Sequence, residues 1–116
     1  MSLSQGRIVW ATLLDSRGAN PKARPAVIVT PTADIDPAGE VQIAAVTTLV
    51  GQAPFAETVE LPFVAGTGHP ETKLKKPCEV VCSWLVSVPV ASVQDSGGFL
   101  PAVVLAEVLA KVQRIS

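Results

Sequence analysis

What this sequence has little of narrows it before any motif is considered. It carries one histidine, His69, and two cysteines, Cys78 and Cys82, too few ligand side chains for a four-coordinate zinc site built from one subunit. No metal or cofactor is therefore expected. The cysteines stand four residues apart in a segment that reads as a strand, which puts them on one face but roughly 13 Å apart along it. A disulfide tolerates only about 7 Å between Cα atoms, so the two cannot pair and fit a reducing compartment. Long apolar runs are also missing. The longest, Val80 to Val93, contains Ser83, Ser87, Pro89 and Ser92 and is too short to cross a bilayer. The first residues show no basic segment followed by an apolar run, so no secretory signal is expected and the cytoplasm is the expected compartment. A net charge of −1 supplies no global attraction for nucleic acid, and an anionic partner would have to be held by a local patch.

What is present is apolar surface. Of 116 residues 48% are hydrophobic and 16% charged, with a mean hydropathy of +0.42, more than a lone domain of this size hides comfortably. One domain with a subunit interface, most simply a homodimer, is the expectation. Charge is grouped: Arg17, Lys22 and Arg24 lie in one segment and Lys73, Lys75 and Lys76 in another, with the acidic turn Asp34, Asp36, Glu40 between them.

The chain reads as strands closed by a helix. Arg7 to Leu14 is rich in branched and aromatic residues and ends at the turn cluster Asp15-Ser16-Arg17-Gly18. Asp15 to Arg24 is polar and predicts an exposed loop. Ala26 to Thr30, bounded by Pro25 and Pro31, predicts a short buried strand with its prolines at the ends. Val41 to Thr48 predicts a third strand and Phe55 to Leu61 a fourth, with Phe55, Val59 and Leu61 on one face, Glu57 breaking it, and Thr58 and Glu60 opposite. Pro62 to Pro77 is a long loop, and Cys78 to Val88 the longest strand. Pro101 to Arg114 predicts the one helix, with Val104, Leu105, Val108, Leu109 and Val112 as its apolar stripe and Glu107 and Lys111 paired on the other side. The pattern suits a small barrel with an appended helix, or a sandwich.

Candidate chemistry centres on Arg24. It stands immediately before a buried strand, a placement that suits a pair of phosphate oxygens or, more plainly, a solvated charge at a strand end. Thr47 and Thr48 close the third strand, and their hydroxyls can donate to a phosphate or simply be strand residues. The lysine run is a solvated face unless its loop folds toward Arg24. His69 reads as a loop residue, and Trp10 and Trp84 as core or interface anchors.

Gly6-Arg7-Ile8-Val9-Trp10, Asp15-Ser16-Arg17-Gly18, Arg24-Pro25-Ala26-Val27-Ile28-Val29-Thr30-Pro31 and Val46-Thr47-Thr48 resemble, in order and spacing, the MazF/PemK family of toxin endoribonucleases. The likeness runs on through Cys82 to Gly98, Leu100 and Leu109, spanning nearly the whole chain. The resemblance implies an SH3-like barrel of the CcdB/PemK type with a C-terminal helix. It implies a homodimer that cuts single-stranded mRNA at short motifs, without a metal, by attack of a ribose 2′-hydroxyl on the adjacent phosphate. It also implies a small antitoxin protein as partner. Arg24 and Thr47 then become the catalytic pair, and Arg17, Lys22, Thr48, Ser83, Lys73, Lys75 and Lys76 the RNA-binding set.

The sequence departs from the family pattern at its acids. Ala19-Asn20-Pro21 stands where members carry a glutamate, and Ser83 where they carry an aspartate; Val81 and Arg7 depart as well. The general base is left to Asp15 or Glu57, and a catalytically silent RNA- or protein-binding member is the alternative reading. A toxin aimed at a protein such as gyrase, as in CcdB-type barrels, is a third.

Overall fold

The computed structural model describes residues 3–14, 20–51 and 55–115. Six strands form one antiparallel sheet: β1 (Arg7–Leu13), β2 (Lys22–Ile28), β3 (Glu40–Thr47), β4 (Thr58–Leu61), β5 (Cys78–Pro89) and β6 (Gln94–Phe99), in the order β4-β5-β3-β2-β1-β6. One helix, α1 (Ala102–Ile115), closes the chain. The expected small barrel with a C-terminal helix is borne out as a curled half-barrel.

The sheet is apolar on both faces because its inner strands are apolar at consecutive positions, so that alternation serves two cores. Ile8, Val27, Ala44, Val46, Val80 and Cys82 face α1 and pack with Val108 and Val112. Val9, Ala11, Ala26, Ile28, Ile43 and Ala45 face the other way and bury against Val41, Val88 and Val93. The helix stripe forms as predicted, but Lys111 does not lie on the solvent side: it is buried and its Nζ donates to the Thr58 carbonyl at 2.8 Å. Its link to exposed Glu107 is a loose 3.8 Å. Cys78 and Cys82 are buried and free on the same face. Burial pushes the Cys82 thiol up to about 11, and its Sγ donates to the Val108 carbonyl at 3.9 Å, so it stays a neutral packing group.

Several boundaries differ from expectation for physical reasons. β2 begins at Lys22 instead of Ala26, because β1 pairs with it as far as Leu13 opposite Lys22. The β3 ladder stops at Ala26, which leaves Lys22 to Pro25 as an edge where a proline is tolerated. Phe55 to Glu57 is a turn of 3-10 helix, and β4 starts only at Thr58, which is buried instead of facing solvent. β6 (QDSGGF) went unforeseen: polar and glycine-rich, it has no apolar alternation and exists by pairing with β1 across a register shift between Ile8 and Val9. Gly97 lies beside that shift with φ +84°.

β6 is held to β1 by an ion pair. Arg7 Nε donates to both oxygens of Asp95 at 3.0 and 3.1 Å, and Nη2 to Oδ2 at 2.9 Å. These hydrogen bonds, with one from the Gly97 N–H, hold the Asp95 carboxyl below its ordinary range. A carboxyl depressed in the folded state adds stability above its unfolded pKa of about 3.9, and that stability is lost as pH falls through the lower folded value. Arg7→Ala is therefore expected to lower the melting temperature at neutral pH, and the gap from wild type to narrow below about pH 4. A gap that is constant in thermal melts across that range would remove the electrostatic account.

Candidate functional site

Arg24 is positioned by the register of β2 on β3. Ala26 pairs with Ala45, Val27 with Ala44 and Ile28 with Ile43. The pairing ends there, and Arg24, two residues before Ala26, and Thr47, two residues after Ala45, lie just beyond the last pair on these adjacent strands. Both lie on the face away from α1, since Ala26, Ile28, Ile43 and Ala45 do. The next strand extends the row, because Thr47 pairs with Glu79 of β5 and Glu79 with exposed Glu60 of β4. A guanidinium, a hydroxyl and a carboxylate thus stand on adjacent strands, each step being about 4.8 Å.

The three side chains differ in how they are held. The Arg24 guanidinium lies over the Trp84 ring, 5.8 Å from its centroid, a cation-π contact that fixes the charge without neutralising it. Its Nε is buried and has no hydrogen-bond partner among the described residues. Such a donor is costly to leave unmade and is satisfied by an incoming anion. The Thr47 hydroxyl oxygen accepts from the Leu49 N–H at 3.0 Å, which leaves its own O–H to donate. Glu79 is 3% exposed, and its Oε1 accepts from the Gly51 N–H at 3.2 Å, tying the chain after β3 to the row.

Not every residue expected in the site joins this row. Lys22 is exposed and two residues from Arg24 on the same strand, hence on the same face. Ser83 is exposed in β5, one residue before Trp84. Arg17 and Asp15 lie outside the described residues. Glu57 belongs to the short 3-10 turn before β4, off the row. Thr48, Lys73, Lys75 and Lys76 line a separate cleft of about 410 Å³. The cleft also takes in Pro25 with Ile8 and Cys78 of the helix-side core, so the lysine loop reaches Arg24's neighbour on the opposite face. Glu79 was missed by sequence reasoning. The available signal was an acid inside an otherwise apolar strand, Cys78-Glu79-Val80-Val81-Cys82, where burial demands a partner.

The loop 62–77 is built, not open. His69 Nδ1 accepts from the N–H groups of Glu71 and Thr72 at 3.1 and 3.3 Å, so this histidine caps a turn instead of standing in solvent. Thr72, 1% exposed, donates its hydroxyl to the Pro62 carbonyl at 2.7 Å. The loop docks on β6 through the Phe99 N–H to the Glu71 carbonyl at 2.9 Å. Gly98 permits this approach, since a Cβ there would overlap the Thr72 carbonyl oxygen. Among the described residues no group of three His, Cys, Asp or Glu side chains could hold a metal ion, and no helix is long and apolar enough to cross a membrane.

A curled antiparallel sheet covered on one face by a C-terminal helix, with an arginine and a threonine on adjacent strands of the other, defines a small half-barrel class of protein. The chain belongs to the family described as PemK-like, MazF-like toxin of type II toxin-antitoxin system, whose model matches residues 4–116. Among solved structures, MazF from Deinococcus radiodurans aligns with TM-score 0.74 and 24% identity, covering 99% of this chain and 96% of that one. The MazE-MazF structure from the same organism aligns at TM-score 0.69 and 25% identity, with coverages of 99% and 96%. An endoribonuclease in complex with its cognate antitoxin from Mycobacterial species aligns at TM-score 0.70 and 15% identity, with coverages of 97% and 93%. No curated protein sequence matches.

Gly98→Ala is expected to push the loop off β6 and to cost about 1–3 kcal/mol, the usual range for forced overpacking. Limited proteolysis should then cut between residues 62 and 77 in the variant and spare the wild type. Equal resistance would show that the contact with Thr72 is readily relieved.

Proposed function

We propose that this chain is an endoribonuclease toxin that cuts single-stranded mRNA, acting as one domain in a cytoplasmic homodimer and silenced by a small antitoxin protein. The row Arg24-Thr47-Glu79 carries the reading. Cleavage in this class needs three things: a proton taken from a ribose 2′-hydroxyl, charge stabilised on the phosphate, and a proton delivered to the leaving 5′-oxygen. Arg24 offers its unpaired Nε–H to a phosphate oxygen, and the Thr47 hydroxyl donates to a second. Glu79 is the carboxylate of the row and, in place of the family's absent acids, takes the 2′ proton directly or through a water. The 2′-oxygen bonds to phosphorus, the bond to the 5′-oxygen breaks, and that oxygen collects the proton, leaving a cyclic phosphate and a free 5′-hydroxyl. The backbone span from Arg24 to Glu79, two strand spacings or about 10 Å, leaves room for a phosphate between the side chains.

The antitoxin part of the reading is supported by the MazE-MazF complex among the similar structures. The homodimer rests on the apolar residues left in solvent, above all Val103 at 82% and Leu49 at 68% exposure. A silent RNA-binding member is the second reading, favoured by the burial of Glu79 and its engagement with Gly51.

Arg24→Ala should lower cleavage of a long single-stranded RNA by about 10²–10³-fold, as loss of one preorganised charge donor does. Glu79→Gln should cost about 10²–10⁴-fold. Undiminished cutting by the arginine variant sinks the mechanism, and undiminished cutting by the glutamine variant reassigns Glu79 to holding the loop. Uncut RNA bound at wild-type affinity would establish the silent reading. Sedimentation at micromolar concentration should give a dimer, and a monomer would refute that assignment.

A further inference from the structure

The cleft on the helix side of the sheet is not used by the chemistry above. Its lining includes the apolar residues Ile8, Pro25, Leu74 and Cys78 together with Trp10, which is 44% exposed. An indole left this open on a strand is poor packing and a ready stacking surface. Lys73, Lys75 and Lys76 stand along the rim. The ion pairs among the described residues are Arg7 with Asp95 and Lys111 with Glu107, so none of the three lysines has a carboxylate partner among those residues. Lys73 is also held at φ +64°, a left-handed conformation that non-glycine residues seldom adopt. The turn secured by His69 enforces it, with the Lys73 N–H donating to the His69 carbonyl at 2.9 Å. Backbone strain kept at a rim of unpaired charge is of the kind found where ligands bind.

The cleft and the catalytic row are adjacent in sequence at two points, on opposite faces of the sheet. Pro25 lines it while Arg24 faces the row, and Thr48 lines it while Thr47 faces the row. A strand of nucleic acid crossing these strand ends meets both surfaces in turn. We propose that the cleft is a nucleotide subsite for single-stranded RNA, in which the Trp10 indole stacks a base and Lys73, Lys75 and Lys76 hold the adjoining phosphates. The proposal rests on the ribonuclease reading for its ligand class and concerns a surface separate from the cleavage residues. Stacking on an open aromatic tolerates any base, and lysines bind phosphate as point charges, so the subsite adds affinity and fixes the strand's path more than it reads sequence.

The test uses the intact protein and a single-stranded oligonucleotide with 2′-O-methyl riboses, which lacks the attacking hydroxyl and reports binding alone. Trp10→Leu should weaken binding about tenfold or more, and Trp10→Phe, which keeps a stacking face, should restore most of it. The combined Lys73→Ser, Lys75→Ser, Lys76→Ser variant should reduce the slope of affinity against salt by about 2, at roughly 0.7 for each phosphate that no longer meets an ammonium group. Wild-type affinity and salt slope in both the Trp10→Leu and the triple-lysine variant would overturn the subsite while leaving Arg24-dependent cleavage untouched. Loss of binding in these variants supports it even if the wild type cuts no RNA. An acidic peptide that binds the cleft while the oligonucleotide does not would overturn it too and assign the surface to a protein partner.

Discussion

The antiparallel register between β2 and β3 is the constraint on which the rest of this molecule depends. It sets Ala26 against Ala45, and Arg24 and Thr47 lie two residues beyond that last pair on their adjacent strands. Because side chains alternate along a strand, the same register sends Pro25 and Thr48 to the other face. A slip of one residue would exchange the two sets. It would put the arginine among the apolar side chains that pack against α1, where a charge without a partner is costly. The two buried cores lock the register from both sides, and the placement of the site follows from packing the sheet.

Charge is then managed differently at each place it occurs. Arg7 is satisfied by Asp95 and serves to hold an edge strand. Lys111 is satisfied by the Thr58 carbonyl and ties α1 to the start of β4. Among the described residues Arg24 meets the face of Trp84 and keeps a buried N–H unmade. The first two cations are structural because their donors are used; the third is poised because its donor is not. Glu79 lies between these cases, with one oxygen on the Gly51 N–H and its backbone in register with Thr47.

The loop from Pro62 to Pro77 shows how a segment without regular structure can still be part of the scaffold. Its polar groups turn inward to His69 and Thr72, and its backbone binds β6 at Phe99. That docking brings three lysines and the open face of Trp10 to one cleft. The loop's order comes from satisfied hydrogen bonds and a glycine contact, with Leu74 packed on the helix-side core.

Much was legible in the chain because it depends on local pattern. Runs of branched residues such as Arg7 to Leu14 and Val41 to Thr48, the proline-bounded segment Ala26 to Thr30, and the helical stripe from Val104 to Val112 each declare an element through local pattern. Arg24 and Thr47 stood out as candidates for the same reason, each at the end of such an element. Other features were decided only by pairing at a distance. β6 has no pattern of its own and exists because β1 offers it an edge. Glu79 belongs with Thr47 because β3 and β5 are neighbours, a fact that residues 32 apart in sequence do not announce. Lys111 looks solvent-facing on a helical wheel and is buried because β4 brings a carbonyl to it. By itself the sequence determined the patterned strands and the helix, and offered Arg24 and Thr47 as candidates. Tertiary structure alone decided which of those residues share a face, because face and neighbour are set by register, and register is settled by the cores as a whole.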